Sequence, residues 1–160
     1  YRNDGDDILT GGAGDDALVG GEGADTLNGG AGWDNASYTT ATGGVTVDLS
    51  NPANNAGEAA GDIHIDIEVI QGSSFNDTIV GDELANYLYG NAGDDTLNGG
   101  AGDDALVGGA GADILNGGAG WDNAAYTAAG AVVTVDLTNA ANNTGDAAGD
   151  VLIDIEVVQG

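Results

Sequence analysis

Nine aspartates and one asparagine recur at nine-residue intervals in two runs: Asp7, Asp16, Asp25 and Asp34, then Asp77, Asn86, Asp95, Asp104, Asp113 and Asp122. Their side-chain oxygens are hard donors, suited to a hard divalent cation. The chain has no cysteine and one histidine, so thiolate sites and the usual zinc sites lack ligands. Around most of the ten the pattern is Gly-Gly-x-Gly-x-Asp-x-U-x, with U a large aliphatic residue, as in Gly11-Gly12-Ala13-Gly14-Asp15-Asp16-Ala17-Leu18-Val19. Glycines at the first, second and fourth positions predict positive φ and carbonyl oxygens turned into the loop, where a Cβ would obstruct. Gly12, Gly14, Gly21, Gly23, Gly100, Gly102, Gly109 and Gly111 are the candidate carbonyl donors. Calcium takes about 6 to 8 oxygens, more than one carboxylate supplies, so loop carbonyls and a second loop must contribute.

The elements that hold such loops follow from the same period. The three residues after each sixth-position Asp predict a short strand, with the eighth position (Leu18, Leu27, Leu97, Leu106, Leu115) turned inward. Each nonapeptide is half a turn, so two make a turn of 18 residues and loops on one edge stand 18 apart. A fixed short period of this kind predicts an all-β parallel solenoid. A longer period overlies it: residues 11–72 recur at 99–160, offset by 88, with roughly three quarters of positions identical. The tandem copies divide the chain into a β-roll block at 1–37, an intervening β segment at 38–71, a second β-roll block at 72–125 and a second intervening segment at 126–160. In these segments Val45–Leu49 and Ile63–Val69, with their copies Val133–Leu137 and Val151–Val157, alternate apolar and polar residues as half-buried strands do.

Through all ten units the chain resembles the RTX, or haemolysin-type, calcium-binding repeat family. The resemblance implies a calcium-bound parallel β-roll, with ions shared by Asp7 and Asp25, Asp16 and Asp34, Asp77 and Asp95, Asp95 and Asp113, and Asp104 and Asp122, and a weaker sixth by Asn86 and Asp104. Roughly five or six calcium ions follow. It further implies a secreted, extracellular or cell-surface location, reached through a type I exporter, with the chain unfolded at low cytosolic calcium and folded outside. Phe75 and Leu84 replace the fourth-position glycine, which predicts incomplete cages there. Asp34 closes its block, so its loss is expected to cost less calcium affinity than loss of Asp104.

The charge agrees with a cation-dependent fold. Twenty-seven acidic residues stand against Arg2 alone, for a formal net charge of −26. Such a surface repels nucleic acid and anionic membrane, and its self-repulsion opposes compaction until something positive neutralises it. No stretch approaches the ~20 apolar residues of a membrane span, so no membrane insertion is expected. The chain opens at Tyr1-Arg2-Asn3-Asp4-Gly5, within a repeat, which reads as a piece of a longer protein.

Other readings fit less well. An EF-hand requires glycine at the sixth loop position and glutamate at the twelfth, and neither is present. A flexible acidic linker would not keep an aliphatic residue two positions after each Asp. His64 reads as an exposed strand residue, since Leu152 replaces it in the second copy. Asp66 and Glu68, on one predicted strand face, could form a glycosidase pair, but surrounding aromatics are missing. Trp33 and Trp121 read as covers over the ends of a narrow core, with Tyr38 and Tyr126 beside them. The expected function is non-enzymatic: a calcium-binding structural module of an adhesin, surface layer or fibre, with neighbouring copies of the module as partners. The alternative is a folding and secretion appendage of an exported protease, lipase or epimerase.

Overall fold

The computed structural model describes residues 4–127 and 129–160. Tyr1, then Arg2 and Asn3, with which the first nonapeptide begins, and Ala128 lie outside the described residues. Fifteen strands follow in order: β1 (Ile8–Ala13), β2 (Ala17–Leu18), β3 (Thr26–Ala31), β4 (Asn35–Ser37), β5 (Thr46–Asp48), β6 (Ile63–Ile65), β7 (Val69–Gln71), β8 (Thr78–Val80), β9 (Tyr87–Ala92), β10 (Thr96–Ala101), β11 (Ala105–Ala110), β12 (Ile114–Ala119), β13 (Asn123–Ala125), β14 (Val151–Ile153) and β15 (Val157–Gln159). Every strand pairing among them is parallel, as a chain wound in one direction requires. Within the nonapeptide runs the register is 18 residues: Leu9 lies beside Leu27, Leu88 beside Leu106, and Leu97 beside Leu115. The fold is the expected all-β parallel roll.

Successive half-turns alternate between two walls. One wall is a seven-stranded sheet, β2-β4-β7-β9-β11-β13-β15; the other comprises β1-β3-β6 and β5-β8-β10-β12-β14. The intervening segment 38–71 therefore adds strands to both walls. β5 precedes β6 in sequence yet pairs with β8, so the second wall carries a strand with no opposite number in the first.

The core is a column of eighth-position side chains. Leu27, Ile79, Leu88, Leu97, Leu106 and Leu115 are buried, and each contributes about 1.5–3 kcal/mol on leaving water. The last unit of each run has Ala36 or Ala124 at this position, and the rings of Tyr38 and Tyr126 join the same core. Trp33 and Trp121 do not cover it: they are 49% and 63% exposed on the loop edge.

Two expectations about the intervening segments are corrected. Ile63–Val69 is not one strand but two, β6 and β7, on opposite walls. Between them Asp66 takes φ of 50°, a left-handed conformation that Asp tolerates better than most residues. The apolar alternation runs unbroken through this turn and conceals it. Val133–Leu137 repeats Val45–Leu49 residue for residue, but forms only an isolated antiparallel bridge, Thr134 with Thr144. Among the described residues no strand lies beside it as β8 lies beside β5.

Candidate metal centres in the turn loops

The glycines divide into two kinds. Second- and fourth-position glycines, such as Gly12 (φ +113°) and Gly14 (φ +107°), occupy the left-handed region; Gly21, Gly23, Gly100, Gly102, Gly109 and Gly111 do the same. First-position glycines do not, which corrects the expectation that all three positions need positive φ. They are there for space: a Cβ on Gly11 would stand 2.6 Å from Asp16 Oδ2, and one on Gly90, Gly99 or Gly108 would strike the Oδ2 of Asp95, Asp104 or Asp113. Carbonyl oxygens stack through the same loops. The Gly12 and Gly14 carbonyls lie against Gly30 and Gly32 one turn later, and those of Gly100 and Gly102 against Gly118 and Gly120.

The sixth-position side chains form ladders along the two loop edges. Oδ1 of each accepts the backbone N–H of its counterpart one turn earlier: Asp25 from Asp7 (2.9 Å), Asp34 from Asp16 (2.8 Å), Asp95 from Asp77 (2.8 Å), Asp104 from Asn86 (2.8 Å), Asp113 from Asp95 (2.9 Å) and Asp122 from Asp104 (2.9 Å). All six expected pairs are thus brought together. Fifth-position carboxylates bond in the opposite direction, Asp15 accepting from Trp33 N and Asp103 from Trp121 N one turn later.

The ladders continue into the intervening segments, through residues outside the two nonapeptide runs. Asp25 N donates to Asp62 Oδ1 and Asp113 N to Asp150 Oδ1, while Asp34 N donates to Glu68 Oε2 and Asp122 N to Glu156 Oε2. Each acceptor stands two positions before a wall residue in register with a core leucine or alanine: His64 beside Leu27, Leu152 beside Leu115, Ile70 beside Ala36 and Val158 beside Ala124. A carboxylate two positions before the inward residue recurs here, but none of the four has glycine two or four positions before it. Asp34 is consequently bonded on both sides, so it is not the end of its ladder.

These loops pass a test for a hard cation. The second carboxylate oxygens of Asp16, Asp25, Asp34, Asp95, Asp104, Asp113 and Asp122 are buried without a hydrogen-bond partner. A buried carboxylate oxygen in that state is costly unless a positive group faces it. Burial raises three of these acids far above the usual range, Asp95 and Asp104 to about 6 and Asp113 to about 7; neighbouring carboxylates raise them further, against backbone N–H bonds that lower them. Among the described residues no three acidic or histidine side chains form a ready-made cluster, so a cation held here must draw on backbone carbonyls as well. Calcium, which accepts mixed carboxylate and carbonyl oxygens, fits that donor set.

Two candidate positions differ. Asp77 is satisfied by the protein: Oδ2 accepts from Ser73 N (2.6 Å), and Oδ1 from Ser73 Oγ (2.8 Å) and Val45 N (2.7 Å). Ser73 stands where six of the other nine units carry the second glycine. At Asn86, Oδ1 accepts from Asp82 N and Nδ2 is buried without a partner, a donor where the other loops present an acceptor.

His64 is half-buried rather than exposed, and its Nε2 lies 2.7 Å from the Tyr38 hydroxyl, which donates to Asp62 Oδ2 at 2.7 Å. Burial lowers its pKa to about 4, so it is neutral at physiological pH. Asp66, in the turn, and Glu68, bonded to Asp34 N, do not form a carboxylate pair on one strand face.

A family model described as the RTX calcium-binding nonapeptide repeat matches this chain in four copies, over residues 1–35, 71–106 and 98–123. These spans take in more than half of the chain. No curated protein matches it.

Proposed function

The chain belongs to the RTX calcium-binding nonapeptide repeat family, and we propose that this calcium-binding repeat module is a structural part of a secreted or cell-surface protein, folding as calcium fills its turn loops. RTX repeats occur in secreted proteins, which supports the location. The observation that carries the reading is the set of seven buried carboxylate oxygens, from Asp16 to Asp122, that no protein donor meets.

Asp16, Asp25, Asp34, Asp95, Asp104, Asp113 and Asp122 would hold the ions, together with carbonyls of the second- and fourth-position glycines. When bound, calcium supplies positive charge and a demand for many oxygens at once. The chain's part is to align those oxygens by its cross-turn N–H bonds and to keep Cβ atoms out of the loops. Asp77 and Asn86 are weak members of this set, because their polar atoms are engaged by the protein or are of the wrong kind. A cation bound by the folded chain alone stabilises it by about 2.7 kcal/mol at a hundred times its dissociation constant. Several such ions outweigh the repulsion of a chain at −26. The module acts as a scaffold and not as a catalyst, in an adhesin, surface layer or fibre, with neighbouring copies as its partners.

Circular dichroism in chelator and in millimolar calcium tests this. The expected result is a disordered spectrum converted to β structure by calcium, and not by magnesium at the same concentration. Identical β spectra with and without calcium would overturn it.

A further inference from the structure

Within the second run, a nonapeptide loop receives two oxygen donors from the turn that follows it. At Gly99 these are the Gly117 carbonyl oxygen, 2.6 Å from where a Cβ would stand, and Asp122, whose Oδ1 accepts the Asp104 N–H. The last loop of each run has no nonapeptide after it, yet both donors are present. A Cβ on Gly117 would strike the Asp154 carbonyl oxygen and stand 2.6 Å from Asp122 Oδ2; one on Gly29 would strike the Asp66 carbonyl oxygen and the Asp34 side chain. The carbonyls of Asp66 and Asp154 thus occupy the place of a first-position glycine carbonyl. Both residues are left-handed, with φ of 50° and 48°, a conformation that a Cβ disfavours and that Asp tolerates. Two residues later, Glu68 and Glu156 replace the sixth-position carboxylate: Oε2 accepts Asp34 N at 3.0 Å and Asp122 N at 2.8 Å. Donors that a nonapeptide sets five residues apart are two apart here.

We infer that these turns complete two further sites for a hard divalent cation, calcium, one formed by Asp34, the Asp66 carbonyl and Glu68 and the other by Asp122, the Asp154 carbonyl and Glu156. The proposal rests on calcium binding by the nonapeptide loops and extends it to residues outside the family matches at 1–35, 71–106 and 98–123.

The second oxygens of Asp34 and Asp122 carry the argument. Both residues are wholly buried, and neither Oδ2 has a hydrogen-bond partner. The groups brought up to them, a carbonyl and a carboxylate, are acceptors too, and buried acceptors that face one another call for a cation between them. Asp122 Oδ2 and the Asp154 carbonyl oxygen both lie within 2.6 Å of one point, so a calcium ion with ligands at about 2.3–2.6 Å reaches both. Burial raises the Asp122 carboxyl above its ordinary range, and the charges of Glu156, Asp103 and Asp154 raise it further, against the Asp104 N–H that lowers it.

The opposite loop edge supplies the contrast. Asp62 and Asp150 also extend a ladder, but the second oxygen of each accepts from a tyrosine hydroxyl, Tyr38 or Tyr126, at 2.7 Å. The protein itself closes that edge. Among the described residues no hydroxyl donates to Glu68 or Glu156, and the bond to Oε2 leaves Oε1 for the ion.

Equilibrium dialysis against labelled calcium, with circular dichroism on the same samples, counts the ions held by the folded chain. Glu68→Gln and Glu156→Gln keep an oxygen for the Asp34 and Asp122 N–H and remove a charge on which calcium affinity depends. At the lowest free calcium that saturates wild type, each variant should hold one ion fewer and the double variant two fewer. Glu83→Gln removes the same charge from an exposed position in the next loop and should hold the wild-type number. Unchanged counts in both site variants, or an equal loss in Glu83→Gln, would overturn the two sites while leaving calcium-driven folding intact. Anomalous scattering from calcium in wild-type crystals asks the same question without a substitution, and so covers a variant that fails to fold. Peaks beside the Asp66 and Asp154 carbonyls are expected; peaks at pairs such as Asp95 and Asp113 with none at these turns would overturn the proposal alone. A chain that binds no calcium overturns both readings.

Discussion

Asp34 stands between two acidic partners: its Oδ1 accepts the N–H of Asp16 at 2.8 Å, and its own N–H donates to Glu68 Oε2 at 3.0 Å. The carboxylate ladder therefore crosses from the first block into the intervening segment. Glutamate supports it there because the turn after Asp66 is shorter than a nonapeptide loop, and one further methylene spans the difference.

Asp34→Ala is accordingly expected to be about as damaging as Asp104→Ala, contrary to the ranking that block boundaries suggest. Each removes a carboxylate with neighbours on both sides, and each should cost on the order of 2–3 kcal/mol of calcium-linked stability per ion lost at a hundredfold excess over Kd. Calcium titrations followed by circular dichroism compare the two; a midpoint for Asp34→Ala near wild type would contradict the continuous ladder.

Gly99→Ala should impair calcium-driven folding although the backbone there is not left-handed. The new Cβ would lie 2.6 Å from the Gly117 carbonyl oxygen and would strike Asp104 Oδ2. Gly43→Ala meets nothing within 4 Å and should match wild type. Equal midpoints for the two variants would remove the spatial role assigned to the first glycine.

Ser73→Ala tests whether Asp77 is held by the protein. Losing the 2.8 Å hydroxyl bond to this carboxylate should destabilise the chain by roughly 1.5–3 kcal/mol, as bonds to charged groups do. The loss is expected at saturating calcium and should not be recovered by adding more. Recovery at high calcium would mean that Asp77 serves an ion instead.

In chelator, acid should favour the folded state. Asp95, Asp104 and Asp113 have folded-state pKa values of about 6, 6 and 7, above the unfolded value near 3.9, so the folded chain binds more protons. Their contribution is fully present below about pH 4 and is lost as pH rises through 6 to 7. Chelated chain should therefore gain β structure between pH 8 and pH 5. Calcium affinity should fall over the same range, since protons and the ion compete for the same oxygens; a folded fraction independent of pH in chelator would contradict this.

Tyr126→Phe should destabilise the second intervening segment by about 1–3 kcal/mol, because it leaves the buried Asp150 Oδ2 without the hydroxyl that donates to it at 2.7 Å. Chemical denaturation in calcium measures this. A variant as stable as wild type would show that the bond contributes nothing.

Much of this arrangement is legible in the residues because the nine-residue period encodes it directly: inward Leu27 and Leu97 and the 18-residue spacing of loops on one edge follow from counting, and the six sixth-position pairs from the family resemblance. Asp62 and Asp150 were not, since they follow Asp25 and Asp113 by 37 residues and have no glycine at the second and fourth positions before them, and His64 in the inward position hides the aliphatic signal of the first. The leap of β5 past β6 to pair with β8 is a matter of three-dimensional order, which alternation along Val45–Leu49 does not carry. Glycine also has two meanings in one symbol, so a residue needed for its φ, such as Gly100, reads the same as one needed for its emptiness, such as Gly99.

The surplus strand β5 makes one wall of the roll locally longer than the wall opposite. Neighbouring strands lie about 4.8 Å apart and facing sheets about 10 Å, so an extra strand in one wall is a large fraction of the thickness of the roll and must be absorbed where it enters. Val133–Leu137 adds no such strand among the described residues, so the lengthening of the wall belongs to the place where β5 enters.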